Sequence, residues 1–213
     1  MTSRAVKAPS RAGSLALVGG GLALDFCNTS SGRGTDRHLE HLQTPSDVLT
    51  WACHAAIVDE LSVARLRAVL DENQKLATRF LKRALELREA VYQLTAALVR
   101  NEPADQTIIN VIAANHAACL SKGRLVTDQG AFGWTWTIDD APEEIILGPI
   151  TSSAVAIITA ADRARLKRCE GHNCGWLFLD TTKSNNRVWC EMEPCGNRAK
   201  QSRRRHSRLR GEP

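Results

Sequence analysis

Aromatic residues are scarce, with one tyrosine, four phenylalanines and five tryptophans in 213 positions. The basic stretches carry almost no aromatic interleaving, which disfavours base stacking on single strands. No run approaches eighteen apolar residues, so no transmembrane helix is expected. Gly19-Gly20-Gly21 does not complete a dinucleotide fingerprint, and no phosphate-binding loop occurs. No nucleophile–base constellation stands out, and the chain is not expected to be an enzyme. It has neither an internal repeat nor a low-complexity tract.

What is present fits one medium domain followed by a small one. Residues 1 to 13 are small, polar and basic, as in a disordered tail. Arg4, Lys7 and Arg11 precede an apolar run from Leu15 to Leu24, a superficial likeness to a secretory leader. The run holds three glycines, ends at Asp25 and offers no convincing cleavage site, so a buried strand is expected. Without a leader the expected compartment is the cytoplasm, where thiols stay reduced. Charge is distributed unevenly. From Arg168 onward there are ten Lys and Arg against five Asp and Glu, whereas the preceding residues balance at eighteen each. A neutral body with a cationic end points to an anionic partner, or to a solvated tail that binds nothing.

Periodicity predicts an α+β, mostly helical N-terminal domain over 14–160, with a small β-sheet. Leu15 to Phe26 reads as one or two strands and Asn28 to Asp36 as a loop. Thr44 caps a helix with Pro45 at its first position and Asp47 in its first turn. Further helices are expected over 62–70, 74–100 and 107–120. Phe132, Trp134 and Trp136 alternate as in a strand with one buried face, with 125–127 as its hairpin partner. A last helix from about Glu143 is expected to break at Gly148-Pro149 and resume through 153–160. His54 and His116 read as structural.

Beyond residue 161 a small domain is expected around Cys169, Cys174, Cys190 and Cys195. Their spacing, C-x4-C-x15-C-x4-C, is two close pairs across a hairpin-sized gap, the pattern of a structural Zn²⁺ site. Four thiolates close the shell, which leaves no position for a catalytic water. His172 is an alternative ligand. Trp176 to Leu179 and Val188 to Cys190 are expected to pair as strands, and 197–210 to form a helix, which together make a treble clef. The metal would supply much of the folding free energy of so small a core. Arg168, Arg187 and Arg198, beside ligands in sequence, are candidates to neutralise the thiolates.

The run Cys190-Glu-Met-Glu-Pro-Cys195-Gly196-Asn197-Arg198-Ala-Lys200 resembles the CGNR zinc-finger family, as do Cys174 to Asp180 and Arg187 to Cys190. Leu22-Ala-Leu-Asp25-Phe26-Cys-Asn28-Thr29 resembles the opening motif of the ABATE domain. So do Leu87 to Ala90 and the Trp134-x-Trp136 strand. This resemblance, from about Leu15 onward, implies a bacterial transcription regulator with one structural zinc and nucleic-acid binding by the finger.

The residues themselves support DNA as partner, with RNA as an alternative. Arg198, Lys200, Arg203, Arg204, Arg205, Arg208 and Arg210 would surround a helix with no acid before Glu212, and phosphates are the natural neutraliser. Lys183 and Arg187 join this candidate surface, with backbone contacts from the hydroxyls and amides of 181–186. Asp25, Asn28, Thr29 and Arg33, with Arg88, form a candidate ligand site for a small-molecule effector. The competing reading has Asp25 and Asn28 capping local backbone, with Asp25 paired to a helix arginine such as Arg88. Cys27 and Cys53 are candidate reactive thiols with nothing in the sequence to lower their pKa. Dimerisation through the N-terminal domain, or a protein adaptor with purely structural zinc, completes the alternatives.

Overall fold

The computed structural model describes residues 10–128, 130–160 and 163–197. Helices dominate, in the order α1 (Leu22–Cys27), α2 (Pro45–His54), α3 (Glu60–Glu72), α4 (Gln74–Val99), α5 (Gln106–Lys122) and α6 (Glu144–Thr159). Three two-stranded antiparallel sheets accompany them: β1 (Ser30–Ser31) with β2 (Leu39–Glu40), β3 (Arg124–Asp128) with β4 (Ala131–Thr135), and β5 (Leu166–Arg168) with β6 (Leu177–Leu179). No helix of the described residues is long and apolar enough to cross a membrane.

Local chemistry sets the helix starts. Thr44 accepts from Asp47 N at 3.2 Å while Asp47 accepts from Thr44 N at 2.8 Å, a reciprocal capping box with Pro45 at the first position. Asp59, Asn73 and Asp105 cap α3, α4 and α5. The 26-residue α4 is the central post, burying Phe80, Ala84, Leu87, Val91 and Leu94 along one stripe. α1 and α6 bury Leu24, Phe26, Ile146, Leu147 and Ile150 in the same core, completed by Trp51 of α2.

Four expectations are corrected. The apolar run before residue 27 ends in a helix, not a strand. Leu22 and Asp25, three apart, are its less buried positions, while Ala23, Leu24, Phe26 and Cys27 are buried, and a run this short does not reveal its period. The β4 strand has no buried face: Phe132 is 79% and Trp134 45% exposed, and the buried Trp136 lies past the strand's end. α6 runs unbroken with Pro149 inside it. Val188–Cys190 form no strand, and β6 takes the preceding β5 as its partner.

Candidate metal centre

The first ligand pair sits on the β5–β6 hairpin. The register Leu166↔Leu179, Lys167↔Phe178, Arg168↔Leu177 places Cys169 directly after β5 and Cys174 shortly before β6. The chain turns between them with Asn173 at φ 63°, and Gly175, directly after Cys174, stands at φ 74°, left-handed values that favour Asn and Gly. Cys174 N donates to Gly171 O at 3.0 Å, and Cys169 N to Trp176 O at 2.8 Å. The second pair comes from the loop end at Cys190 and a short irregular helical turn, Met192–Gly196, which carries Cys195.

The four Sγ atoms lie within 4.8 Å of one another. Cys174 and Cys190 are 3.6 Å apart and Cys190 and Cys195 3.7 Å. Tetrahedral zinc with bonds of about 2.3 Å needs sulfur separations of about 3.8 Å, so the cluster is already at ligand spacing. A Cβ on Gly171 would stand 2.9 Å from Cys195 Sγ and 3.2 Å from Cys169 Sγ, so only glycine leaves the sulfur cage clear. Gly171 N also donates to Cys169 Sγ at 3.3 Å, the backbone contact that thiolate sulfur accepts. Hydrogen bonds from Cys174 and Cys190 pull the Cys169 thiol far below its ordinary pKa, and the same crowding pushes Cys174 and Cys190 up. Four thiolates therefore coexist here only around a cation, and the donor set selects a soft, tetrahedral one. His172 is exposed and outside the cluster.

Residues 165–208 match the CGNR zinc finger family, and residues 20–161 match the ABATE family, described as "Putative stress-induced transcription regulator". The chain belongs to the ABATE family and carries a CGNR zinc finger. No curated protein matches it. The four cysteines of the finger fit one structural zinc ion.

Between the ligand pairs, the loop of the finger hangs on Asp180, which is fully buried. Its carboxylate takes Lys167 Nζ at 2.7 Å, Arg187 N at 2.7 Å and the Thr182 amide and hydroxyl at 2.9 and 2.6 Å. Burial alone would raise this carboxyl, but the Lys167 ammonium and the Thr182 and Arg187 donors outweigh it and hold it well below the usual carboxylate range. Arg187, expected at a nucleic-acid surface, is committed internally. Its guanidinium stacks 4.4 Å over Phe178, donates to Trp189 O at 3.0 Å and Val18 O at 3.2 Å, and reaches Cys190 O. The sequence around Asp180 signalled its importance through the family resemblance alone. Lys183 is exposed. Arg198, Lys200, Arg203, Arg204, Arg205 and Arg208, and with them the helix expected over 197–210 beyond its first residue, lie outside the described residues.

The finger is joined to the ABATE body without a gap. Leu166 and Leu177 are buried in the same apolar core as α1 and α4, while Phe178 faces the cysteine cluster with Trp189 and Val18 beside it. β6 is thus buried on both faces. Leu179 N donates to Gly19 O at 2.8 Å, Gly32 N to Cys174 O at 3.0 Å, Tyr92 Oη to Gly175 O at 3.1 Å and Trp176 Nε1 to Ser31 Oγ at 3.1 Å.

The candidate ligand residues lie along or beside this junction. Asn28 docks the finger: its Nδ2 donates to Leu177 O and its Oδ1 accepts from Leu177 N, both at 2.9 Å. Asp25 accepts from Gly19 N at 2.7 Å, and burial pushes its carboxyl up to about 6. Arg88 does not pair with Asp25. It is buried, binds Glu40 at 2.5 Å and Glu89 at 2.9 Å, and donates to Thr29 Oγ1 at 3.1 Å. Arg33 takes the other side of Glu89 at 2.5 Å and lies 4.0 Å over the Tyr92 ring. Glu40, Glu89 and Tyr92 were not singled out as site residues from sequence alone, because their partners are remote along the chain.

Proposed function

We propose that this chain is a cytoplasmic, DNA-binding transcription regulator in which zinc is structural, the segment past Gly196 contacts nucleic acid, and the ABATE body senses a ligand or dimerises. The observation that carries this reading is where the charge falls. The ten Lys and Arg from Arg168 onward hold the chain's whole cationic excess, and six of the seven at Arg198 and beyond lie in 200–210, just past the last zinc ligand. Zinc fixes Cys190 and Cys195 against the β5–β6 hairpin, which gives that segment a defined starting point, as the helix of a treble clef would have. With Arg187 engaged inside the finger, the nucleic-acid contacts fall to Lys183 and to Arg198, Lys200, Arg203, Arg204, Arg205 and Arg208.

A non-enzymatic role is supported by the state of two nucleophilic side chains. Cys27 is fully buried with its thiol pushed up to about 12, first by burial, and Ser30, 2.8 Å from His38 Nε2, is 1% exposed.

The test titrates the full zinc-loaded chain against duplex DNA at several salt concentrations. About three to five phosphate contacts give a slope of log affinity against log salt of roughly −3 to −4.5, and neutralising Arg203, Arg204 and Arg205 together flattens it by about two to three. Stronger binding to RNA moves the reading to that partner. Affinity indifferent to salt, or none at low ionic strength, removes it and leaves the adaptor.

A further inference from the structure

A cleft of about 690 Å³ lies between β4, the α2–α3 connection and α6, and no cysteine ligand or other finger residue lines it. Trp134 and Trp136 bound it on the hairpin side, Ile57 and Pro149 supply apolar surface from the other elements, and Asp59 and Glu60 stand at the start of α3. Both indoles are placed by glycines. A Cβ on Gly148 would stand 2.5 Å from the Trp136 ring, and one on Gly123 would stand 3.0 Å from Trp134 Cε3 and from Trp136 Nε1. Trp136 is further locked by donating Nε1–H to Cys119 O at 2.7 Å. Trp134, by contrast, remains 45% exposed. The polar lining is acidic and uncompensated. No Lys or Arg lines the cleft, and the nearby Arg65 is paired with Asp139 at 3.1 Å. The Ser62 hydroxyl, and Ser62 N at 2.8 Å from Asp59 Oδ1, hold the Asp59 carboxyl below its ordinary pKa, and Glu60 is exposed with no ion pair among the described residues. Two carboxylates outweigh the roughly half positive charge of the α3 N-terminus.

We infer that this cleft is a binding site for a small organic cation with a flat apolar body. The exposed Trp134 indole attracts a positive charge and the ring carrying it, with the buried Trp136 as an apolar wall, while Asp59 and Glu60 select cation over anion. A pocket of this size, apolar with a few convergent polar groups, suits such a molecule. The inference rests on reading the ABATE body as a sensing part, and it names the class of effector.

The experiment is calorimetric titration of the full zinc-loaded chain with 1-methylquinolinium, and separately with 1-naphthoate, a flat bicyclic anion of similar size. The cation is expected to bind saturably at one site, at least tenfold more tightly than the anion. Trp134→Ala is expected to weaken it tenfold or more, and Glu60→Gln several-fold. Both side chains are exposed, so the variants keep the parent melting temperature, which is measured alongside. Naphthoate binding as tightly as the cation, cation binding that survives Trp134→Ala, or no saturable binding overturns the proposal. So does sedimentation as a dimer that Trp134→Ala disperses and the cation leaves intact, since a second copy then covers the cleft. Cation binding that leaves DNA affinity unchanged upholds the site and removes only the sensing role.

Discussion

Asn28→Ala tests whether finger and body are one folding unit. Asn28 is 2% exposed, and its amide serves both the N–H and the C=O of Leu177 at 2.9 Å, in place of a neighbouring strand. Alanine leaves both backbone groups buried without partners. Each orphan costs about 1–3 kcal/mol, and water entering the vacated space recovers part of that, so the expected loss is about 2–4 kcal/mol. For a chain of this length that is a drop of roughly 4–16 °C in melting temperature. The loss also reaches the metal, because Leu177 lies three residues past the ligand Cys174. Calorimetric melting of the zinc-loaded chain and the rate of zinc transfer to a chromogenic chelator provide the two readouts. Asn28→Asp keeps the acceptor for Leu177 N–H but turns a carboxylate toward Leu177 O, and is expected to be at least as damaging at neutral pH. A variant Asn28→Ala that melts with the parent and releases zinc no faster would refute the coupling.

Three further outcomes are expected. Cys195→Ala should abolish tight zinc binding yet leave the amides of Leu177 and Leu179 protected in hydrogen exchange, because Asn28 and Gly19 hold them, while 188–197 exchanges freely; loss of protection in β6 counts against this. Arg88→Met should cost about 2–4 kcal/mol by stranding Glu40 and Glu89, somewhat below a fully buried pair because both acids are about a third exposed, and adding Glu40→Gln should restore part of it in urea denaturation. Asp25, with its carboxyl raised from 3.8 to about 6 in the folded chain, holds a proton that the unfolded chain releases. Its contribution therefore favours folding below about pH 4 and is lost as pH rises through about 6. Asp25→Asn, which keeps an acceptor for Gly19 N, should then gain stability over the parent at pH 8 relative to pH 5.5, and equal midpoints at both pH values would contradict the assignment.

Features set by neighbours in sequence were legible. The Thr44 box, the long stripe of α4 and the paired cysteines each follow from local spacing, and each is found in place. Features decided across the fold were not. Asn28 and Leu177 are 149 residues apart, so the amide's role as a docking rung leaves no local trace. Gly148-Pro149 suggested a break, but at Gly148 the Trp136 ring presses on the helix backbone and leaves no room for a Cβ, and α6 continues through the proline. Arg187 looked like one more cation in a basic region, and only the packing around Phe178 reveals it as an internal strut.

The double-sided burial of β6 also bears on how such a chain can be rearranged. Leu177 belongs to one core and Phe178 to the other, and successive strand residues point to opposite sides. Inserting or deleting one residue between Cys174 and Leu179 would exchange the two sets, turning Phe178 into the helical body and Leu177 toward the sulfurs. The same geometry makes the finger a poor graft. Moved onto an unrelated carrier, residues 165–197 would arrive with Leu166 and Leu177 bare and the Leu177 backbone unpaired. A successful transplant therefore has to bring along, or rebuild, the stretch from Val18 to Ser31 that receives them.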